Sequence, residues 1–234
     1  MVLDGGGMYY TARNGFFLDS STIIANVTRG EYFLDKTIFN YLEDFGMMGI
    51  VTPIVIREVR GVIGGKYKEK EKKLEELLNS SIIYVEDCPV SEVKSRLPAI
   101  NDIYDKARKE FEEYTGRILD SRNKMKRKKQ KALQKNIAYK MLKDKLVDNP
   151  AERPDRVILA QASYLKDTKY ENMYLISRDT HFCPIEDSGM ERFMGIISDK
   201  IFKATGVICI RAEEIAEKMY KKEYETIKTC PENL

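Results

Sequence analysis

Short apolar runs alternate along the chain with longer stretches in which apolar residues keep helical spacing. Brief continuous runs are typical of strands buried on both faces, and the periodic stretches are typical of amphipathic helices. Their alternation predicts an α/β fold with a doubly wound, parallel, five-stranded sheet. The predicted strands are 16–18, 47–51, 82–85, 173–177 and 207–210; the predicted helices are 34–45, 154–166 and 212–224, with two more between 53 and 78.

The pattern changes after Pro89. Apolar residues keep helical spacing through 103–118 and again through 133–145, and no strand-like run separates the two stretches. We therefore expect a helical insertion over 90–149 in an α/β domain formed by 16–89 and 150–234, preceded by a flexible leader over 1–15. The spacing of the insertion's aromatic residues favours packing between its helices over stacking on bases; these residues are Tyr104, Phe111, Tyr114 and Tyr139.

The amino-acid composition limits the class of protein and the reactive groups that the chain can use. The chain has 234 residues, of which 43% are hydrophobic and 33% charged, so general disorder and collagen-like sequence are excluded. Apolar runs fall well short of the roughly 18 residues of a membrane span, so we expect a cytoplasmic protein without a membrane partner. The four cysteines form no C-x-x-C pair and the chain has one histidine, which argues against zinc ribbons and multi-histidine metal sites. Carboxylates are the expected reactive groups.

Positive charge is concentrated in one segment. The chain has a net charge of +3, yet 121–147 contains eleven lysines and arginines and one acid, so the rest of the chain is net acidic. Such a basic helical segment predicts a polyanionic partner, with a solvated lysine-rich face as the alternative. The residues expected to contact such a polyanion are Lys124, Lys126, Arg127, Lys128, Lys129, Lys131 and Lys135.

Four acids fall where an open α/β sheet binds ligands. Asp19 and Asp179 follow the first and fourth predicted strands, Asp155 begins the helix before the fourth, and Glu58 lies in the helix after the second. Clustered carboxylates repel one another unless cations intervene, and Mg²⁺ or Mn²⁺ bound by them can support an in-line phosphoryl displacement. Taken singly, each acid also fits a helix cap, a first-turn acid, a solvent-facing glutamate or a turn.

The segments around these acids are F-F-L-D-S-S-T-I-I at 16–24, T-P-I-V-I-R-E-V at 52–59, P-D-R-V-I-L-A-Q-A at 154–162 and Y-L-I-S-R-D-T-H-F at 174–182. In this order they resemble the PIN-domain ribonucleases, over about 16–88 and 150–212. The resemblance implies Asp19, Glu58, Asp155 and Asp179 as catalytic ligands of Mg²⁺ or Mn²⁺. It implies Ser20, Ser21 and Ser177 as supporting hydroxyls. Many members have another acid or Asn where this chain has His181, which we expect to support the site.

The resemblance implies an endoribonuclease that leaves 5′-phosphate and 3′-hydroxyl ends. A PIN-like chain with a long helical arm is similar to minimal protein-only ribonuclease P, which makes structured, tRNA-like RNA an expected substrate. A second copy of the chain or an antitoxin-like protein is a further partner to test.

Other classes of protein fit the sequence less well. A non-catalytic PIN-like RNA- or protein-binding module is the main alternative. A haloacid-dehalogenase-like phosphatase is less favoured because Ser21 replaces its second aspartate. A P-loop is excluded by Arg60 and Tyr67, and a dinucleotide fingerprint is absent after the first strand.

Overall fold

The predicted apolar runs form one sheet. The computed structural model describes residues 14–29, 33–119, 139–140, 143–179, 181–182, 196–211 and 214, and its fold is α/β with five parallel strands. The strands are β1 (Asn14–Leu18), β2 (Gly49–Val51), β3 (Ile83–Val85), β4 (Asn172–Ile176) and β5 (Val207–Ile210). Each overlaps the run that predicted it, and the predicted α/β class with a five-stranded parallel sheet is confirmed. β1 begins at Asn14, inside the segment predicted as a leader.

Seven α-helices are described, together with a short 3₁₀-helix (Lys68–Lys70) and a short π-helical turn (Asp144–Asp148). The α-helices are α1 (Ser20–Arg29), α2 (Phe33–Asp44), α3 (Pro53–Lys66), α4 (Glu71–Leu78), α5 (Val90–Leu119), α6 (Arg153–Thr168) and α7 (Ile196–Thr205). α3 shows how the sequence sets a boundary: Thr52 is extended at the N-cap and Pro53 starts the helix, where its missing N–H costs little. Apart from residue 214, the helix predicted over 212–224 lies outside the described residues.

The strand order places a topological switch point between β1 and β4. The order is β3-β2-β1-β4-β5, so the chain winds outward from β1 to β3 and then returns to the other side of β1. The backbone N–H of Asp19, just after β1, donates to the carbonyl of Ile176 at the end of β4 at 3.0 Å. Because ligands of open α/β sheets bind where the winding reverses, this edge is the expected location of a site.

Contacts divide the chain into two compact units, which are described separately. Unit 1 comprises Met1–Asp87, Tyr174–Arg178 and Ile210–Leu234, and unit 2 comprises Cys88–Met173 and Asp179–Cys209. The core of unit 1 surrounds β1, where Phe16, Phe17 and Leu18 are almost completely buried. The ring of Phe16 stacks on Tyr174 with centroids 5.5 Å apart and meets Tyr41 edge-on at 6.0 Å.

Unit 2 is built around α5, which packs against α6 and α7. Tyr104 and Phe111 of α5 are buried, and the ring of Phe111 stacks on buried Tyr139 with centroids 5.7 Å apart. The predicted packing between aromatic residues of the insertion is confirmed for Phe111 and Tyr139, and Tyr104 is buried as a core residue. The side chain of Tyr114 lies outside the described ones. The boundary at 87/88 is close to the predicted start of the insertion, but α5 shares its unit with α6 and α7.

The basic segment itself is mostly beyond the described residues. All seven predicted RNA-binding residues, Lys124, Lys126, Arg127, Lys128, Lys129, Lys131 and Lys135, lie outside them. Among the helices that are described, none is long and apolar enough to cross a membrane.

Candidate active site

Asp19 is the centre of a buried cluster of hydroxyl groups in unit 1. Its side chain follows β1 and its exposed fraction is only 3%. The Oδ2 atom accepts hydrogen bonds from Ser21 Oγ at 2.6 Å and from Ser177 Oγ at 2.7 Å. Ser20 Oγ donates to Oδ1 at 3.4 Å. We call Asp19, Ser20, Ser21 and Ser177 the Asp19 cluster; it gathers one predicted acid with its three predicted supporting hydroxyls.

The start of α1 and the end of β4 hold this cluster together. The carbonyl of Asp19 accepts the backbone N–H of Thr22 at 3.1 Å, so Asp19 also begins the helix, as its simpler interpretation predicted. Thr22 Oγ1 donates to the carbonyl of Ile176 at 3.0 Å, and the N–H of Arg178 donates to Ser21 Oγ at 3.0 Å. A buried carboxylate is costly unless it is hydrogen-bonded, and the charge-assisted bonds from the serines offset that cost.

Glu58 lies in the same unit, on α3. Its side chain is half-buried, beside the buried Val55 and Val59 of the same helix. α3 packs against α1, the helix that Asp19 begins. Most helix glutamates face water, so the half-burial of Glu58 departs from the solvent-facing alternative considered for it.

The other two predicted acids come together in unit 2 around the only histidine of the chain. His181 Nδ1 lies 3.1 Å from Asp179 Oδ1 and 3.7 Å from Asp155 Oδ2. Nδ1 is buried, and both contacts are ion pairs when the ring is protonated. We call Asp155, Asp179 and His181 the His181 cluster. Acids 24 positions apart in the sequence thus share one partner.

Each acid of the His181 cluster is also fixed by the backbone. Asp155 Oδ2 accepts the N–H of Glu152 at 2.8 Å, as the third helical residue of a capping box does. Asp179 Oδ1 accepts the N–H of His181 at 2.8 Å and lies 3.8 Å from Lys145 Nζ. The first-turn and turn roles considered for these acids are therefore real, and they orient the carboxylates toward a common side chain.

His181 is itself held at both ends. Its ring Nε2 is 3.0 Å from the carbonyl oxygen of Asn149, and its own carbonyl accepts the hydroxyl of Tyr104 at 3.0 Å. Since a carbonyl can only accept, Nε2 must bear a proton. A neutral ring would then turn the Nδ1 lone pair toward two carboxylates, whereas a protonated ring turns an N–H toward them. The geometry favours the imidazolium.

The pKa directions agree with this assignment. Burial by itself would lower the pKa of His181, but Asp179, the Asn149 carbonyl and the charge of Asp155 together raise it above its ordinary value. Burial by itself would raise the pKa of Asp179, but His181 and Lys145 outweigh it and lower that pKa. Burial, with the nearby Cys209 and carboxylates, raises the pKa of Tyr104 well above its ordinary value, so its hydroxyl stays a neutral donor.

Sequence reasoning missed several members of this neighbourhood. Tyr104 has the spacing of a core residue and is one, but its hydroxyl also reaches the His181 backbone. Lys145 lies in the short π-helical turn Asp144–Asp148 and Asn149 follows it; the helical spacing through 133–145 did not predict this turn. Arg156, next to Asp155, lies over the Tyr104 ring at 5.6 Å from its centroid.

The donor chemistry suits a hard cation, but the described geometry does not assemble a complete ligand set. Carboxylate oxygens are the ligands that Mg²⁺ and Mn²⁺ prefer. Asp19 and Glu58 belong to unit 1, and Asp155 and Asp179 belong to unit 2. Over the described ranges, no group of three or more His, Cys, Asp or Glu side chains is arranged to hold a metal ion. The shared metal site of the four acids stays a prediction.

Comparison with protein-family models, with curated proteins and with solved structures finds no match.

Proposed function

We propose that this chain is a PIN-like endoribonuclease that hydrolyses RNA phosphodiester bonds with Mg²⁺ or Mn²⁺. The observation that carries the proposal is the approach of Asp155 and Asp179 to one buried nitrogen, at 3.7 and 3.1 Å. Both were selected from the sequence as members of one acidic site, and they come from separate segments. Neighbouring carboxylates repel one another unless a positive charge lies beside them, so this arrangement is suited to binding a cation.

The Asp19 cluster supports the same function from its place in the sheet. Asp19 and Ser177 follow β1 and β4, the two strands that flank the switch point, and their side chains are hydrogen-bonded at 2.7 Å. Open α/β sheets bind substrates at this position. An acceptor carboxylate held by serine hydroxyls is suited to orienting a cation or a water molecule beside a phosphate.

The proposed roles divide among the chain's own groups. Asp19, Glu58, Asp155 and Asp179 would hold the ion, and the ion when bound would polarise the phosphate and favour attack by water. Ser21 and Ser177 orient Asp19. His181 and the N–H of Glu152 restrict Asp179 and Asp155, so that fewer side-chain rotamers are lost on binding.

The expected substrate follows from the basic segment. Lysines and arginines over 121–147 would neutralise RNA phosphates without reading bases, and their contribution should fall as salt is added. A-form RNA is recognised largely by shape and backbone, which favours a structured, tRNA-like substrate.

One observation favours the non-catalytic module as the second candidate. The imidazolium of His181 already places a positive charge between Asp155 and Asp179, which is part of what the cation was invoked to do. In that case the acids would be structural, and the chain would bind RNA or protein without cleaving it.

Asp155→Asn separates the two candidates. We expect it to abolish Mg²⁺-dependent cleavage of a structured RNA while RNA affinity is kept or slightly raised, because one negative charge is removed. The matched control is Asp167→Asn on the same helix, where an exposed aspartate pairs with Arg96 at 3.1 Å. Cleavage is followed on gels with and without EDTA, and Mn²⁺ binding is measured by calorimetry on the same samples.

The outcomes are distinct. Cleavage by wild type and Asp167→Asn but not by Asp155→Asn, with EDTA inhibition, supports the nuclease. Cleavage by Asp155→Asn at the wild-type rate contradicts it. A wild-type protein that binds RNA but neither cleaves it nor binds Mn²⁺ supports the non-catalytic module.

A further inference from the structure

The hydroxyl of Tyr104 connects α5 to the His181 cluster. Its side chain is 4% exposed, and its hydroxyl donates to the His181 carbonyl at 3.0 Å. A buried hydroxyl without a partner would be costly, so the carbonyl and the hydroxyl fix one another. This contact joins a helix that the sequence assigned to an RNA-gripping insertion with a residue that touches both acids of the cluster.

The ring of Tyr104 is itself clamped. The Arg156 guanidinium lies over it at 5.6 Å and donates to Asn101 Oδ1, on α5, at 2.7 Å. Arg156 also donates to the carbonyl of Ala151 at 3.1 Å. Because Arg156 is fixed at two points and Tyr104 packs beneath it, the hydroxyl has little freedom to follow a moving His181.

His181 transmits this restraint to the acids. The same residue whose carbonyl meets Tyr104 donates its N–H to Asp179 Oδ1 at 2.8 Å and turns its Nδ1 toward Asp179 and Asp155. A displaced His181 backbone would therefore change both contacts to Asp179 at once, and through the ring the contact to Asp155.

We propose that Tyr104 is a positioning residue of the nuclease site, which acts through His181 to keep Asp155 and Asp179 together. This inference rests on the proposed function. It makes α5 part of the catalytic apparatus rather than only a support for RNA binding. Groups that orient metal ligands from behind commonly change metal affinity or activity by about 10- to 100-fold when they are removed.

The single histidine of the chain makes the test direct. In full-length protein labelled with ¹⁵N-histidine, all imidazole NMR signals belong to His181. Tyr104→Phe removes only the hydroxyl, and we expect it to shift or broaden those signals. We also expect about tenfold or greater weakening of Mn²⁺ affinity in calorimetry and a matching fall in kcat, with KM for RNA unchanged.

Tyr164→Phe is the matched control. Tyr164 also lies in unit 2 and also has an arginine over its ring, Arg96 at 5.4 Å. Loss of its hydroxyl should leave the His181 signals, Mn²⁺ affinity and kcat within about twofold of wild type, a change worth at most ~0.4 kcal/mol.

A double-mutant cycle with His181→Gln distinguishes positioning from general loosening. If Tyr104 acts through His181, Tyr104→Phe adds little to the loss of Mn²⁺ affinity that His181→Gln already causes. Additive losses, or an unshifted His181 spectrum with wild-type Mn²⁺ affinity in Tyr104→Phe, overturn the inference and leave the proposed function standing. A wild type that neither binds Mn²⁺ nor cleaves RNA overturns both.

Discussion

Ser177→Ala tests whether the Asp19 carboxylate depends on its hydroxyl partners. Ser177 is completely buried, and its Oγ donates to Asp19 Oδ2 at 2.7 Å. A hydrogen bond to a charged, buried acceptor contributes about 1.5–3 kcal/mol, and the alanine offers Asp19 no replacement donor. We therefore expect Ser177→Ala to lower the free energy of unfolding by about 2 kcal/mol.

Urea denaturation provides the measurement. Since the chain contains no tryptophan, far-UV circular dichroism and tyrosine fluorescence are the two probes, and their transitions should coincide. Ser95→Ala is the control, because Ser95 is exposed and donates to the neutral carbonyl of Glu92 at 2.8 Å. Its effect should stay within about 0.5 kcal/mol.

Repeating Ser177→Ala in an Asp19→Asn background isolates the charge. The neutral amide needs the hydroxyl less, so the loss should shrink by about 1 kcal/mol or more. An equal loss in both backgrounds, or a loss no larger than that of Ser95→Ala, would refute the claim that Ser177 stabilises a buried charge.

Two further predictions concern β2, which pairs with β1, and the basic segment. A Cβ at Gly49 would overlap Leu18 Cδ1, so Gly49→Ala should destabilise by about 1–3 kcal/mol in a thermal melt. Gly61→Ala, on an open face of α3, should instead stabilise by about 0.5–1 kcal/mol; equal effects at both glycines would contradict the packing argument. The third change replaces four cations of the basic segment with Gln: Lys126, Arg127, Lys128 and Lys129. In filter binding, RNA affinity should fall and should depend less on salt concentration. An unchanged salt dependence would assign the segment to another role.

The sequence predicted the sheet because its signal is local. Buried parallel strands are continuous apolar runs, so 207–210 was placed to the residue and the other four strands overlap their predicted runs. α5 shows where local rules fail: it passes through Pro98, which a local rule would treat as a helix end. Packing against α6 and α7 offsets the lost hydrogen bond.

The candidate site was predictable only in part, because some of its contacts join residues that are distant in the sequence. Asp155 and Asp179 could be paired from the sequence because strand and helix ends have a known position in α/β folds. His181 was expected to support the site, but its contact with both acids depends on the turn that follows Asp179, which the sequence pattern does not specify. The hydrogen bond of the Tyr104 hydroxyl could not be predicted, because the spacing of core residues does not indicate which group a buried hydroxyl contacts.

The hydrogen bond between Asp19 and Ser177 also bears on when the Asp19 cluster can form during synthesis. Its two residues are 158 positions apart, so it closes a very long loop of chain. During synthesis the first three strands emerge with Asp19 still lacking Ser177, and the Asp19 cluster can be completed only after β4 has left the ribosome.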